Sequence, residues 1–295
     1  MRQSMRKPAI LLLFVCTLAA SAAHAATYSD TYVIPVVGHT IGANGTTWMS
    51  DLAIRNISNS SMDVQLVVVE SGENTTDNVF PLVTDDLDGF VTVGPNSTVM
   101  LEDIMDGYRG RMNALGALIV GADRPFALTS RTYSNRSPLG QTVPGTADFL
   151  DNSLGTIDNN AVAYIPGVIN NARARTNAGF VAGSGGSTST NMTVEVSVRN
   201  AAGGIVGTRR ITVAPGQFIH VQFNIRTISL AQFDVGTLEF RIVEGEGTVV
   251  PYASVVDNAT GEAAYIMGQF PNSTPTTSAF RTNLFRSLME RAQVR

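Results

Sequence analysis

The chain has 295 residues, of which 44% are hydrophobic and 15% charged, a globular rather than a disordered composition. Twenty Lys and Arg stand against 24 Asp and Glu, a net charge of -4, and an acidic chain is a poor candidate for gripping a phosphate backbone. Cys16 is the only cysteine and Lys7 the only lysine.

Residues 1–25 have the form of a secretory signal peptide. Arg2, Arg6 and Lys7 make a basic start, residues 10–20 an apolar run, and Ala23-His24-Ala25 a small-x-small cleavage site. The apolar run is shorter than the ~20 residues a spanning helix needs. Leu13-Phe14-Val15 before Cys16 is not a lipoprotein pattern. Cleavage near Ala25 would remove Cys16 and the leader's three basic residues, leaving 17 basic against 24 acidic residues. The exported chain would then have no disulfide, thiolate nucleophile, cysteine metal ligand or Schiff-base lysine. No later stretch is long and apolar enough to span a bilayer, so the expected location is secreted, periplasmic or cell-surface.

After a short polar lead the chain reads as strands. Residues 32–37 form the first, and residues 38–46 a glycine-rich turn. Trp48, Leu52 and Ile54 are spaced as on one buried face of a strand, which makes Trp48 a core residue on this reading. The apolar run 62–69 suits a central strand. A long loop, 71–90, carries Asp85, Asp86 and Asp88 ahead of Gly89. Strands at 91–93 and 97–101 flank the turn Gly94-Pro95-Asn96, and residues 102–108 are expected to make a short helical turn. Strands at 115–120 and 126–133 close this first module, 26–135. Residues 136–160, with Pro138, Gly140, Pro144, Gly145 and Gly155, are expected to form a linker.

A second module, 161–270, repeats the plan. Tyr164-Ile165-Pro166 answers the opening Tyr32-Val33-Ile34-Pro35, 194–198 answers 64–68, 211–216 answers 91–96, 235–238 answers 115–118, and 252–255 answers 128–131. Shared turn residues mark shared chain reversals. The expected fold is therefore all-β, two tandem immunoglobulin-like (Greek-key) β-sandwich domains. Residues 271–295 begin Pro/Thr/Ser-rich. Phe280, Leu284, Phe285, Leu288 and Met289 then recur at helical spacing, so a short C-terminal amphipathic helix is expected ahead of a truncated third module.

The Tyr/Val-x-Pro opening, the Thr176-Asn177 and Ser50-Asp51 strands, the Val-x-Pro-Gly/Asn turn and the closing Ser130-Arg131-Thr132-Tyr133 strand carry a resemblance. Over residues 32–269 the chain resembles the repeated immunoglobulin-like modules of uncharacterised bacterial secreted and cell-surface proteins. The resemblance implies a non-catalytic extracellular module and carries over no active-site residues.

His39 and His220 fall in different modules, so a shared metal or triad would need the modules to meet closely, and both are expected to be structural. No Gly-x-Ser-x-Gly elbow occurs. Gly183-Ser184-Gly185-Gly186-Ser187 precedes a strand, and is a hairpin loop rather than a phosphate loop. Asp85, Asp86 and Asp88 lack the alternating spacing of a calcium loop, and a solvated acidic loop is preferred to a calcium site. Glu102 with Asp103, and Glu244 with Glu246, are adjacent pairs that nothing places across a cleft. The many Asn-x-Ser/Thr triplets, Asn56 and Asn258 among them, fit Asn-rich turns. No catalytic, cofactor-binding or metal residues and no cofactor are expected. The leading function is a non-catalytic structural or adhesive protein presenting sandwich loops to a protein or glycan partner. A carbohydrate-binding accessory module is the alternative, weakened by placing Trp48 in the core, and a secreted hydrolase comes last.

Overall fold

The computed structural model describes residues 29–42, 45–72, 78–84, 86–146, 150–151, 162–184 and 190–270. The expected leader, Asp85, residues 147–149 and 152–160 of the expected linker, residues 185–189 and the expected C-terminal helix lie outside the described residues.

The fold is all-β. The first half comprises β1 (Ser29–Ile41), β2 (Thr47–Arg55), β3 (Met62–Glu70), β4 (Val79–Pro81), β5 (Phe90–Val93), β6 (Thr98–Leu101), β7 (Ala114–Ser134) and β8 (Ser137–Val143). The second comprises β9 (Leu150–Asp151), β10 (Val162–Asn170), β11 (Ala174–Ser184), β12 (Met192–Asn200), β13 (Ile205–Val213), β14 (Phe218–Asn224), β15 (Phe233–Glu244), β16 (Gly247–Asp257) and β17 (Ala263–Met267). The named strands pair antiparallel throughout.

In the second half a sheet of order β10-β15-β12-β13 faces one of order β14-β11-β16-β17. Successive side chains on a strand point to opposite faces, and the core follows that period. Val194, Val196 and Val198 of β12 meet Ala178, Phe180 and Ala182 of β11 in one buried cluster. In the first half a single strand serves both layers. Residues 114–122 of β7 pair with β1 and β3, while residues 127–134 pair with β2 and β8. Ile34, Leu52, Val64, Leu66, Val68 and Leu118 fill its core. The expected helical turn over 102–108 is instead a run of turns ending in a 3-10 turn at Tyr108–Gly110. Burial of Ile104, Met105 and Tyr108 in the core holds that segment down, with i to i−3 hydrogen bonds such as Asp106 N–H to the Asp103 carbonyl at 2.8 Å in place of α-helical ones.

Pairing registers run in step. Ile34 faces Leu118 and Ile165 faces Leu238, each just before a bulge. Val64 faces Val91 and Ala122, and Val194 faces Ile211 and Ile242. One expected match is out by a residue. Leu52 faces Ser130 while Ala178 faces Ala253, so Tyr252 corresponds to Thr129 rather than Leu128. The shift matters because one residue of slip exchanges the two faces of a strand.

The expected linker is shortened at its start. β8 pairs with β7 through Ser130–Val143 and Ser134–Ser137, and Val143 is fully buried in the first core. Its Pro and Gly residues mark a hairpin partner, with Gly140 at φ 63° packed against the Thr132 carbonyl. Beyond it Thr146 exchanges both backbone hydrogen bonds with Val33, at 2.8 and 2.9 Å.

The halves also dock on each other. Val67, Val69, Ala117 and Ile119 of the first pack with Val181, Phe218 and Val250 of the second in a third buried cluster. The Gly72 N–H donates to the His220 carbonyl at 3.0 Å across the same contact. Burying one Val or Phe is worth about 1.5–3 kcal/mol, against about 1 kcal/mol for one neutral hydrogen bond, so apolar contact dominates the junction.

Candidate binding cleft between the halves

The face of the second half that meets the first is graded. Its outward rows, read across β14, β11 and β16, are His220–Val181–Val250, then Gln222–Gly179–Tyr252, then Asn224–Asn177–Ser254. Alternation along each strand thus carries the surface from an apolar patch to amides and hydroxyls. Where it turns polar the halves separate into a cleft of about 320 Å³.

Gly179 makes the middle row possible. A Cβ there would enter the Tyr252 ring, so glycine lets the phenol lie across β11. The ring stacks on His220 (centroids 5.9 Å, 8° between planes) and on Tyr265 (5.8 Å, 17°). The Tyr252 hydroxyl donates to Gln222 Oε1 at 3.2 Å and shares a 2.8 Å hydrogen bond with His220 Nε2. Complete burial drives the His220 pKa down to about 3 and the Tyr252 pKa well above its ordinary value. The row is neutral as a result.

Trp48 forms part of the opposite wall, a correction to the core assignment. It is only half-buried and belongs to none of the buried clusters. Its parity on β2 does match Leu52 and Ile54, but at this end of the sandwich its neighbours are polar. Ser50 Oγ accepts from the Gly38 N–H at 3.0 Å and contacts Thr132 Oγ1 at 3.1 Å. The apolar core ends there, and the indole faces the cleft beside Thr132 and Gln141. Gln141 Oε1 is buried with no hydrogen-bond partner. Among the described residues that line it, Arg175 is the only charged one. Its guanidinium donates to Asn258 Oδ1 at 2.8 Å and has no carboxylate within ion-pair distance among the described residues. Burial, then the charge of Arg226, hold its pKa below the usual arginine range.

A second polar group lies on the first half. His39 Nδ1 stands 2.9 Å from Asp103 Oδ2 and 3.8 Å from Asp106 Oδ1. Asp103 adopts a left-handed φ of 43°, and its N–H donates to the buried Asp51 carboxylate at 2.9 Å. Partial burial raises the Asp103 pKa against the opposing hydrogen bond from His39. The three side chains could reach one cation. An imidazole–carboxylate pair equally satisfies itself.

The residues weighed in the sequence scatter. Asp86 and Asp88 are exposed and converge on nothing, while Glu102 is exposed as Asp103 turns to His39. Glu244 accepts from Thr193 at 3.1 Å beside the β15–β16 turn that holds Glu246. Asn56 is buried, donating to the Ser60 carbonyl at 2.7 Å and the Val93 carbonyl at 3.0 Å, a turn-forming role. The halves do meet at His220, yet the meeting point is an apolar patch rather than a metal or triad site. Sequence reading missed Arg175, Gln141, Gln222 and Tyr252 as a group, because their separations carry no local pattern.

The chain matches no protein-family profile and no curated protein. Two solved structures of glycosyl hydrolase family 2 members from Bacteroides cellulosilyticus are distantly similar, each at 10% identity and a TM-score of 0.19. The matches cover 80% and 75% of this chain, but only 26% and 28% of those chains.

Proposed function

We propose that this is a non-catalytic exported structural or adhesive protein, two copies of one β-sandwich module docked face to face, that presents the cleft between them to a protein or glycan partner at the cell exterior. The observation that carries this reading is the shared apolar patch that opens into a polar cleft, with Val67, Val181 and Phe218 buried and Trp48 and Gln222 at the wall. A docked pair of sandwiches holds both cleft walls at fixed separation, which suits presentation more than chemistry. The test is cell fractionation with protease treatment of intact cells. Cleavage on intact cells, or recovery in the medium, supports the reading. Protection until the outer barrier is opened would sink the adhesive role and leave a periplasmic one.

A second reading, a carbohydrate-binding module, is favoured by Trp48. The chain's single tryptophan stands half-buried at the cleft wall among amide and hydroxyl side chains. Sugars are commonly held by one flat aromatic face and a few convergent polar groups.

A further inference from the structure

We propose that the cleft takes a carboxylate-bearing sugar unit, a uronic acid or its like, with Arg175 receiving the carboxylate and Trp48 covering one face of the ring. The inference rests on the cleft being the partner-facing site.

Three features of the wall select this chemistry. The first is charge. Among the described residues Arg175 is the lone ion of the lining, and its guanidinium donates to a neutral amide, Asn258. A neighbouring recess is shared by Arg175, Trp48, Arg136 and Asp257. Asp257 is already engaged, accepting from the N–H groups of Ala259 and Thr260 at 2.8 and 2.9 Å on its own turn. A partly buried guanidinium with no counter-charge gains most from an anion that brings two oxygens to its fork.

The second feature is the orphan acceptor. Gln141 Oε1 is buried and unpaired, and a carboxylate has no proton to give it. A sugar hydroxyl does. Asn177, Gln222 and Ser254 stand across the cleft and, like sugar hydroxyls, both donate and accept. The third is Trp48, whose indole N–H makes no hydrogen bond within the described residues and whose pyrrole edge packs on Gly42. A peptide terminus would share the carboxylate but carries no ring of hydroxyls to meet Gln141 Oε1 on one wall and Asn177, Gln222 and Ser254 on the other. The chain's net charge of -4 disfavours a dense polyanion, which leaves a single acidic sugar the better fit.

Because Trp48 is the only tryptophan, its fluorescence reports this cleft directly. The purified protein is titrated with D-glucuronic acid, D-galacturonic acid, D-glucose, D-galactose and sodium acetate, with calorimetry in parallel. The expected result is a saturable emission change with at least one uronic acid. Its neutral parent and acetate should each bind roughly tenfold or more weakly, the worth of one charge-assisted hydrogen-bonded contact. Arg175→Gln should bring the acid down to the affinity of the neutral sugar, and Arg175→Lys should retain part of the preference. Equal binding of acid and neutral sugar would overturn the inference while keeping a glycan site. Acetate binding as tightly as the acids, or no binding of any sugar, would overturn the inference and the glycan reading together. Neither outcome touches the cellular location, which the protease experiment decides separately. The acid-to-neutral comparison needs no variant, so a poorly folding Arg175 substitution leaves the test intact.

Discussion

β3 of the first half and β12 of the second occupy corresponding places in their sheets, yet their outward faces differ. Val64, Leu66 and Val68 of β3 face its own core, and Val67 and Val69 face the second half. On β12 the inward residues are Val194, Val196 and Val198, while Glu195 pairs with Arg210 and Arg199 with Glu239 on the other face. An apolar residue in an outward position is therefore a sign of docking and not of the sandwich itself. The corners differ too. β7 passes uninterrupted from one layer to the other with Pro125, which has no N–H to offer a ladder, at the change of partners. β15 and β16 are separate strands joined through Gly245 at φ 72°, a left-handed position where a Cβ would meet the Asn191 carbonyl. The same pairing plan tolerates an extended corner or a tight turn, because the registers on either side are set by the core.

The comparison breaks most sharply at Val67. Val67→Asp places an unpaired carboxylate in the patch between the halves and should cost roughly 3–5 kcal/mol, comparable to a core substitution. Urea unfolding checks this, and a loss under about 1 kcal/mol would mean that the halves do not dock in solution.

Acid should act next. His220 is neutral in the folded protein down to about pH 3 but takes up a proton near pH 6.5 when unfolded. Its contribution is therefore complete above pH 6.5 and is lost as the pH falls from 6.5 toward 3, at up to about 1.4 kcal/mol per pH unit. Melting temperatures from pH 7 to 5 should decline more steeply in the wild type than in His220→Gln. Parallel slopes would refute the assignment.

Gly179→Ala should displace the Tyr252 ring and cost about 1–3 kcal/mol by overpacking, with a change in Trp48 emission as the cleft wall shifts. Thermal melts and fluorescence on one sample test both. The smallest effect belongs to the exposed face of β12. Glu195→Ala should alter stability by less than about 0.5 kcal/mol despite its ion pair with the solvent-exposed Arg210.

Much of this molecule is local. Period-two alternation in β12, the Ile-Pro strand openings at Pro35 and Pro166 and the turn at Gly94-Pro95-Asn96 depend on residues close in sequence, and they mark an all-β chain and most of its strands unaided. The run Val67-Val68-Val69 announces a strand buried on both faces, but not what buries it. Tertiary structure decided the rest. β8 read as linker because its Pro and Gly residues look the same in a loop and at a sheet edge. Trp48 read as core because parity tells which face a side chain takes, not where along the strand the core ends. His39 finds Asp103 from 64 residues away, and Arg175 finds Trp48 and Gln141 only once the halves dock. Such pairings leave no trace in local spacing, since contact between distant strands is set by the packing of whole faces rather than by any neighbouring residue.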